Sequence, residues 1–158
     1  MKKYFIKKEP RIPFTQDGYD KLVAEHAKLV ADRPAAVENL RKSRELGDLS
    51  ENGYYKASRA ALSFLDARLR RATHLLKLAV IVASHGSRSV QIGSVVKVKT
   101  GDKEAEYTIV GGYESDPVNH TISHISPLGK AMIGKIAGDT VEVRAPERTI
   151  SYSIISVA

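Results

Sequence analysis

The sequence predicts an α + (α+β) protein: an N-terminal antiparallel two-helix coiled-coil hairpin, then a small α+β domain with a mainly antiparallel sheet and one short helix. Three observations predict it. Apolar residues recur at alternating spacings of three and four along two long stretches of the first half, the signature of one buried face on a coiled helix. Only a short, glycine-containing break separates the two stretches, so the helices must fold back on one another. Near Val80 the period drops to two, and turn pairs begin at Gly101-Asp102, Gly111-Gly112 and Gly138-Asp139. We therefore divide the chain at residues 1–80 and 81–158, with the tip of the hairpin at 46–52.

Residues 1–13 are a basic lead containing Pro10 and Pro13, expected to be irregular or extended. Thr15 or Asp17 can cap the first helix. Tyr19, Leu22, His26, Leu29, Arg33, Ala36 and Leu40 then form its stripe, and Val23, Val30 and Val37 are expected to widen it. Pro34 removes one backbone hydrogen bond, but the stripe keeps its phase on both sides, so one kinked helix is predicted. Gly47 stands where a left-handed glycine commonly ends a helix. The second stripe runs Tyr55, Ser58, Leu62, Leu65, Leu69, Ala72, Leu76, Ala79. With about 30 residues each, the helices reach about 45 Å.

In the second half, strands are predicted at Val80–Val82, Ser94–Lys99, Glu106–Val110, Thr121–Ile125, Thr140–Arg144 and Ser151–Val157. Ser126 as N-cap, Pro127 at the first helical position and Gly134 past the end predict the short helix. No internal repeat or low-complexity segment is present.

The net charge of +7 is unevenly placed. The first 80 residues hold 17 Lys/Arg against 10 Asp/Glu, and the remainder holds 8 of each. A one-sided basic field suits contact with nucleic acid or another polyanion; a solvated helix surface is the plainer explanation. The chain has no cysteine, which excludes a disulfide framework and cysteine zinc sites and agrees with a cytoplasmic location. Met1 to Lys8 begins with charge, but only three apolar residues follow, so no secretory segment is expected. No run approaches the ~18 apolar residues of a membrane span.

Gly47-Asp48-Leu49-Ser50-Glu51-Asn52 places two carboxylates three residues apart at the predicted tip. Asp48 and Glu51 have an ordinary reading as the capping box of the second helix. They also have a functional one. Two carboxylates hold Mg²⁺ poorly by themselves, because the ion keeps waters and wants further carboxylates or phosphates. They make a half-site that another macromolecule would complete for phosphodiester hydrolysis. The histidines offer less: His26, His74 and His85 are scattered, and His120 and His124 have no third ligand nearby in sequence.

These residues resemble the bacterial Gre transcript-cleavage factors, the GreA/GreB family, in a GreA-like form. The tip motif followed by Tyr55 matches, as do Thr15-Gln16-Asp17-Gly18-Tyr19-Asp20-Lys21-Leu22 and Arg33-Pro34. Tyr107-Thr108-Ile109-Val110-Gly111, Ile122-Ser123, Ser126-Pro127-Leu128-Gly129-Lys130-Ala131, Ile133-Gly134-Lys135 and Gly138-Asp139 match further on. The order and spacing of these motifs, over nearly the whole chain, make the resemblance specific.

The resemblance implies an FKBP-like second domain without isomerase activity. That domain would dock on bacterial RNA polymerase at the rim of its secondary channel, through the segment Ser126, Pro127, Leu128 and Gly129. The hairpin would thread the channel, where Asp48 and Glu51 would share a Mg²⁺ ion with the polymerase active site. Backtracked RNA would be cut and elongation resumed, with no autonomous active site in this chain. Lys42, Arg44, Lys56 and Arg59, within a few turns of the tip, would face the nascent RNA 3′ end. No cofactor is expected on the chain alone, and a monomer is expected. Gly53, Tyr54 and the Ala145-Pro146-Glu147-Arg148 stretch depart from the family's common pattern, and the basic lead is longer. The competing readings are a channel-binding paralogue that inhibits polymerase without cleavage and, more remotely, an autonomous Mg²⁺ nuclease.

Overall fold

A computed structural model describes residues 10–46, 52–83, 86–144 and 149–158. Its elements are β1 (Ile12–Phe14), α1 (Gln16–Glu45), α2 (Gly53–Leu78), β2 (Ala79–Ile81), β3 (Val95–Thr100), β4 (Lys103–Val110), a 3₁₀ turn (Pro117–Asn119), β5 (Thr121–Ser123), α3 (Pro127–Met132), β6 (Thr140–Arg144) and β7 (Thr149–Val157). They group into two compact units. Asp20–Leu78 forms one; the described residues up to Tyr19, with those from Ala79 onward, form the other.

The first unit is the helical hairpin. Leu22 and Leu29 are buried on α1, and Ser58, Ala72, Leu75 and Leu78 on α2. Tyr55, Leu62, Leu65, Leu69 and Leu76 are half-buried, so the predicted α2 stripe is the seam. Cross-links between the helices show that they run antiparallel. Arg33 Nε donates to Asp66 Oδ1 at 2.8 Å, Arg68 pairs with Glu25, and His26 Nε2 meets Thr73 Oγ1 at 3.1 Å. Exposed ion pairs of this kind are worth only ~0–1 kcal/mol each; they set register more than stability.

The expected widening of the α1 stripe is not found. Val23, Val30 and Val37 are 42%, 50% and 41% exposed. A hairpin gives each helix one neighbour, so only the narrow coiled-coil seam is covered. Pro34 lies inside a continuous α1. The carbonyl it deprives of a donor belongs to Val30, on the exposed side, where water can satisfy it.

The second unit is built on a five-stranded sheet in the order β5-β4-β3-β7-β6. The β3–β4, β3–β7 and β6–β7 pairs are antiparallel and β4–β5 is parallel. Period-two alternation sends Val96 and Val98 of β3 inward and leaves Lys97 and Lys99 on the other face. They join Val90, Ile109, Met132, Val141 and Ile154 in one core.

The first predicted strand behaves differently from the rest. Ala79–Ile81 does not join this sheet but pairs in parallel with Ile12–Phe14, and Val82 N–H extends the ladder to the Phe14 carbonyl at 2.8 Å. The end of the lead, expected to be irregular or extended, is thus extended and paired as a strand that runs on to the fully buried Phe14.

Candidate functional site

Asp48 and Glu51 lie outside the described residues, as does Gly47. Their flanks are well defined. α1 ends at Glu45 and α2 begins at Gly53. The start of α2 corrects the capping-box reading. Tyr55 N–H donates to Asn52 Oδ1 at 3.0 Å, and the Asn52 carbonyl accepts from Lys56 N–H at 3.1 Å. Asn52 is therefore the N-cap, the position that the capping-box reading gives to Asp48. The other half of the Asn52 amide donates to the Ser43 carbonyl at 2.9 Å. Ser43 is itself completely buried and turns its hydroxyl onto the Leu40 carbonyl. One side chain thus starts the second helix and closes the end of the first.

The four basic residues expected near the tip are not equivalent. The Arg44 guanidinium stands 6.0 Å from the centre of the Tyr55 ring, a cation–π contact between the helices. Lys42 lies 3.9 Å from Glu38, whose carboxylate also accepts two hydrogen bonds from Arg41. Those Arg41 bonds, followed by the charges of Arg41 and Lys42, lower the Glu38 pKa. Lys56 and Arg59 are exposed and have no ion-pair partner among the described residues.

The predicted docking segment divides into display and support. Ser126 caps α3, its Oγ accepting from Gly129 N–H at 3.0 Å, and Pro127 follows as an exposed first helical residue. Leu128 packs against the core. Gly129 is buried, and a Cβ there would lie 2.1 Å from the Ser123 carbonyl oxygen. Leu128 and Gly129 therefore hold the turn, while Pro127 with the half-buried Ser126 is what a partner would meet. An open, mainly apolar hollow of about 510 Å³ is nearby, with Ile92, His124, Lys130 and Ile133 in its lining. His124 Nδ1 lies 3.2 Å from the Val110 carbonyl. Among the described residues no group of three His, Cys, Asp or Glu side chains could hold a metal, and no helix is long and apolar enough to cross a membrane.

Sequence reasoning missed Glu114. Its carboxylate accepts from Thr15 N–H at 3.0 Å and from Gly111 N–H at 2.9 Å, and also bonds the Thr15 hydroxyl. A negative group at the first turn of α1 suits the free N–H groups there. Gly18 and Gly111 make room for it: a Cβ would come within 1.7 Å and 2.2 Å of its oxygens. No local pattern announces a partner 99 residues away.

Two models of one family together cover most of the chain. Residues 12–81 match the model for "Transcription elongation factor, N-terminal" and residues 85–158 the model for "Transcription elongation factor, GreA/GreB, C-term". The chain belongs to the GreA/GreB family of transcription elongation factors. Transcription elongation factor GreA of Thermodesulfovibrio yellowstonii is 39% identical over 94% of this chain and 97% of its own length. That of Nitratiruptor sp. is 38% identical over 94% of both. Among solved structures, GreA factor homolog 1 of Thermus thermophilus is 21% identical over 94% of this chain and 99% of its own, with a TM-score of 0.45. In GreA/GreB terms, the Asn52 cap and the Arg44–Tyr55 contact lie in the N-terminal match, and Glu114 and the α3 turn lie in the C-terminal one.

Proposed function

We propose that this GreA/GreB member binds bacterial RNA polymerase, places the residue 47–51 segment at the polymerase active site through the secondary channel, and stimulates cleavage of backtracked RNA. The observation that carries the reading is the Asn52 cap. It starts α2 and ties it to the end of α1, so the N-cap position is filled by Asn52 and the capping-box reading does not account for Asp48 and Glu51. Two carboxylates offer hard oxygen donors of the type Mg²⁺ prefers, in too small a number to hold it alone. The donor set fits a shared ion whose remaining ligands come from the polymerase. Such an ion, when bound, supplies Lewis-acid activation of water and phosphodiester.

The chain's own contribution is ligand, charge and position. Asp48 and Glu51 lend oxygens. Lys56 and Arg59, with Lys42 and Arg44 behind them, neutralise phosphates near the nascent RNA 3′ end, which makes the interaction salt-dependent. Pro127, presented by the Ser126 cap, docks the second unit on the polymerase. Catalysis belongs to the polymerase; the factor has no autonomous site.

The test is a stalled, backtracked elongation complex with purified polymerase. Wild-type protein shortens the RNA. Asp48→Asn and Glu51→Gln lose that activity but still bind, whereas Pro127→Ala binds more weakly. Undiminished cutting by either acid variant would overturn the tip assignment. Blocked synthesis without shortening by the wild type would turn the reading into that of an inhibitory channel binder.

A further inference from the structure

Tyr54 and Tyr55 are adjacent at the start of α2 and live in different surroundings. Tyr55 is half-buried in the seam, gives its backbone N–H to the Asn52 cap and receives the Arg44 guanidinium over its ring. Tyr54 is 46% exposed, and its side chain has no hydrogen bond or ring contact to any described residue. It sits on the first turn of a capped helix, so its backbone is held while its ring is left open.

An exposed aromatic ring on a fixed backbone is a stacking platform for an unpaired nucleobase. Charge favours a nucleic-acid occupant over an apolar protein wall: Lys56 and Arg59 lie within the first two turns of α2, on other sides of the helix from Tyr54, and neither has an ion-pair partner among the described residues. Placement agrees as well. Three residues of chain span at most ~10 Å, so Tyr54 is within that reach of Glu51 whatever course the chain takes between them. That is about the extent of one or two nucleotides.

We propose that Tyr54 stacks on an unpaired base of the RNA 3′ segment and positions it for cleavage. This rests on the tip reading above. Tyr54 is a positioning residue: it holds the strand and supplies neither a proton nor a ligand.

The test compares Tyr54→Ala, Tyr54→Phe and wild type in backtracked elongation complexes, with RNA carrying either a normal or an abasic 3′-terminal nucleotide. One lost stacking contact corresponds to roughly a tenfold change. Tyr54→Ala is expected to cut normal RNA about tenfold more slowly at saturating factor, and Tyr54→Phe to match wild type. On abasic RNA all three should cut alike. Equal rates of Tyr54→Ala and wild type on normal RNA would overturn stacking. So would a Tyr54→Ala defect that persists on abasic RNA, since the ring would then be meeting polymerase protein. Asp48→Asn, run alongside, separates the two claims: if it still cuts, the tip reading itself has failed.

Discussion

Asn52 and Ser43 are joined across the end of the hairpin by a 2.9 Å bond from the Asn52 side-chain nitrogen to the Ser43 carbonyl. The same amide's oxygen caps α2. The carbonyls of a helix's last turn lack intrahelical donors, and here one of them receives its donor from the helix that follows. The two ends are therefore stabilised together.

Asn52→Ala should lose both contacts. A missing N-cap costs about 0.5–2 kcal/mol, and the Ser43 carbonyl, in a buried residue, would lose a partner as well. Helix content followed through a urea titration should show an earlier midpoint. Asn52→Asp retains the cap but not the donor, so it should fall between Asn52→Ala and wild type. If all three proteins melt together, the link is an ornament.

Glu114 and the glycines around it make a second prediction. Gly111→Ala puts a Cβ 2.3 Å from the Pro13 carbonyl oxygen and 2.2 Å from Glu114 Oε1, and the Pro13 backbone cannot swing aside as a side chain can. Overpacking of this kind costs about 1–3 kcal/mol or more. Gly53→Ala is the contrast: nothing lies within 4 Å of its Cβ, and alanine should stabilise by up to ~1 kcal/mol. Equilibrium denaturation of the two variants should move in opposite directions. Matching shifts would contradict the packing at Gly111.

The third prediction concerns pH. Lys97 on β3 and Glu104 on β4 meet at 2.7 Å, diagonally across a register that pairs Lys97 with Glu106 and Lys99 with Glu104. The hydrogen bond from Lys97, and then its charge, hold the Glu104 carboxyl below the usual carboxylate range. The Lys97 ammonium is raised by the same bond and charge. A depressed carboxyl stabilises the fold above its unfolded pKa, and that contribution fades as pH falls through the folded value. The raised lysine contributes fully below its unfolded pKa and loses its effect as pH climbs through the folded one. Lys97→Met should let the Glu104 midpoint rise, read by carbon-detected NMR titration of its carboxyl. A midpoint that stays in place would remove Lys97 as the cause.

The helices were legible because a seam repeats every three or four residues, and each of its members carries the same message. The same periodicity misled at Val23, Val30 and Val37. Amphipathicity shows which side prefers cover, not how many neighbours are available to provide it. Asp48-x-x-Glu51 reads as a capping box because it fits a two-residue pattern, yet the single Asn52 holds the N-cap position. Its second duty toward Ser43 depends on where another helix ends. β1 was hidden for a related reason. Ile-Pro-Phe is too short to alternate, and its partner strand is 67 residues further on. The α3 turn was plain from Ser126 and Pro127, because caps are written locally; the need for glycine at 129 comes from the Ser123 backbone and is not. For the candidate site, the motif singles out Asp48 and Glu51, which lie outside the described residues, and the structure adds the Asn52–Ser43 link beside them.

The parallel pairing of Ile12–Phe14 with Ala79–Ile81 makes the helical unit an excursion from a single host. The chain departs after one strand and re-enters along its neighbour, a few ångströms away at ordinary strand spacing. An insertion with adjoining ends behaves as a cassette. Its length and sequence can change while the host's own ladder stays closed.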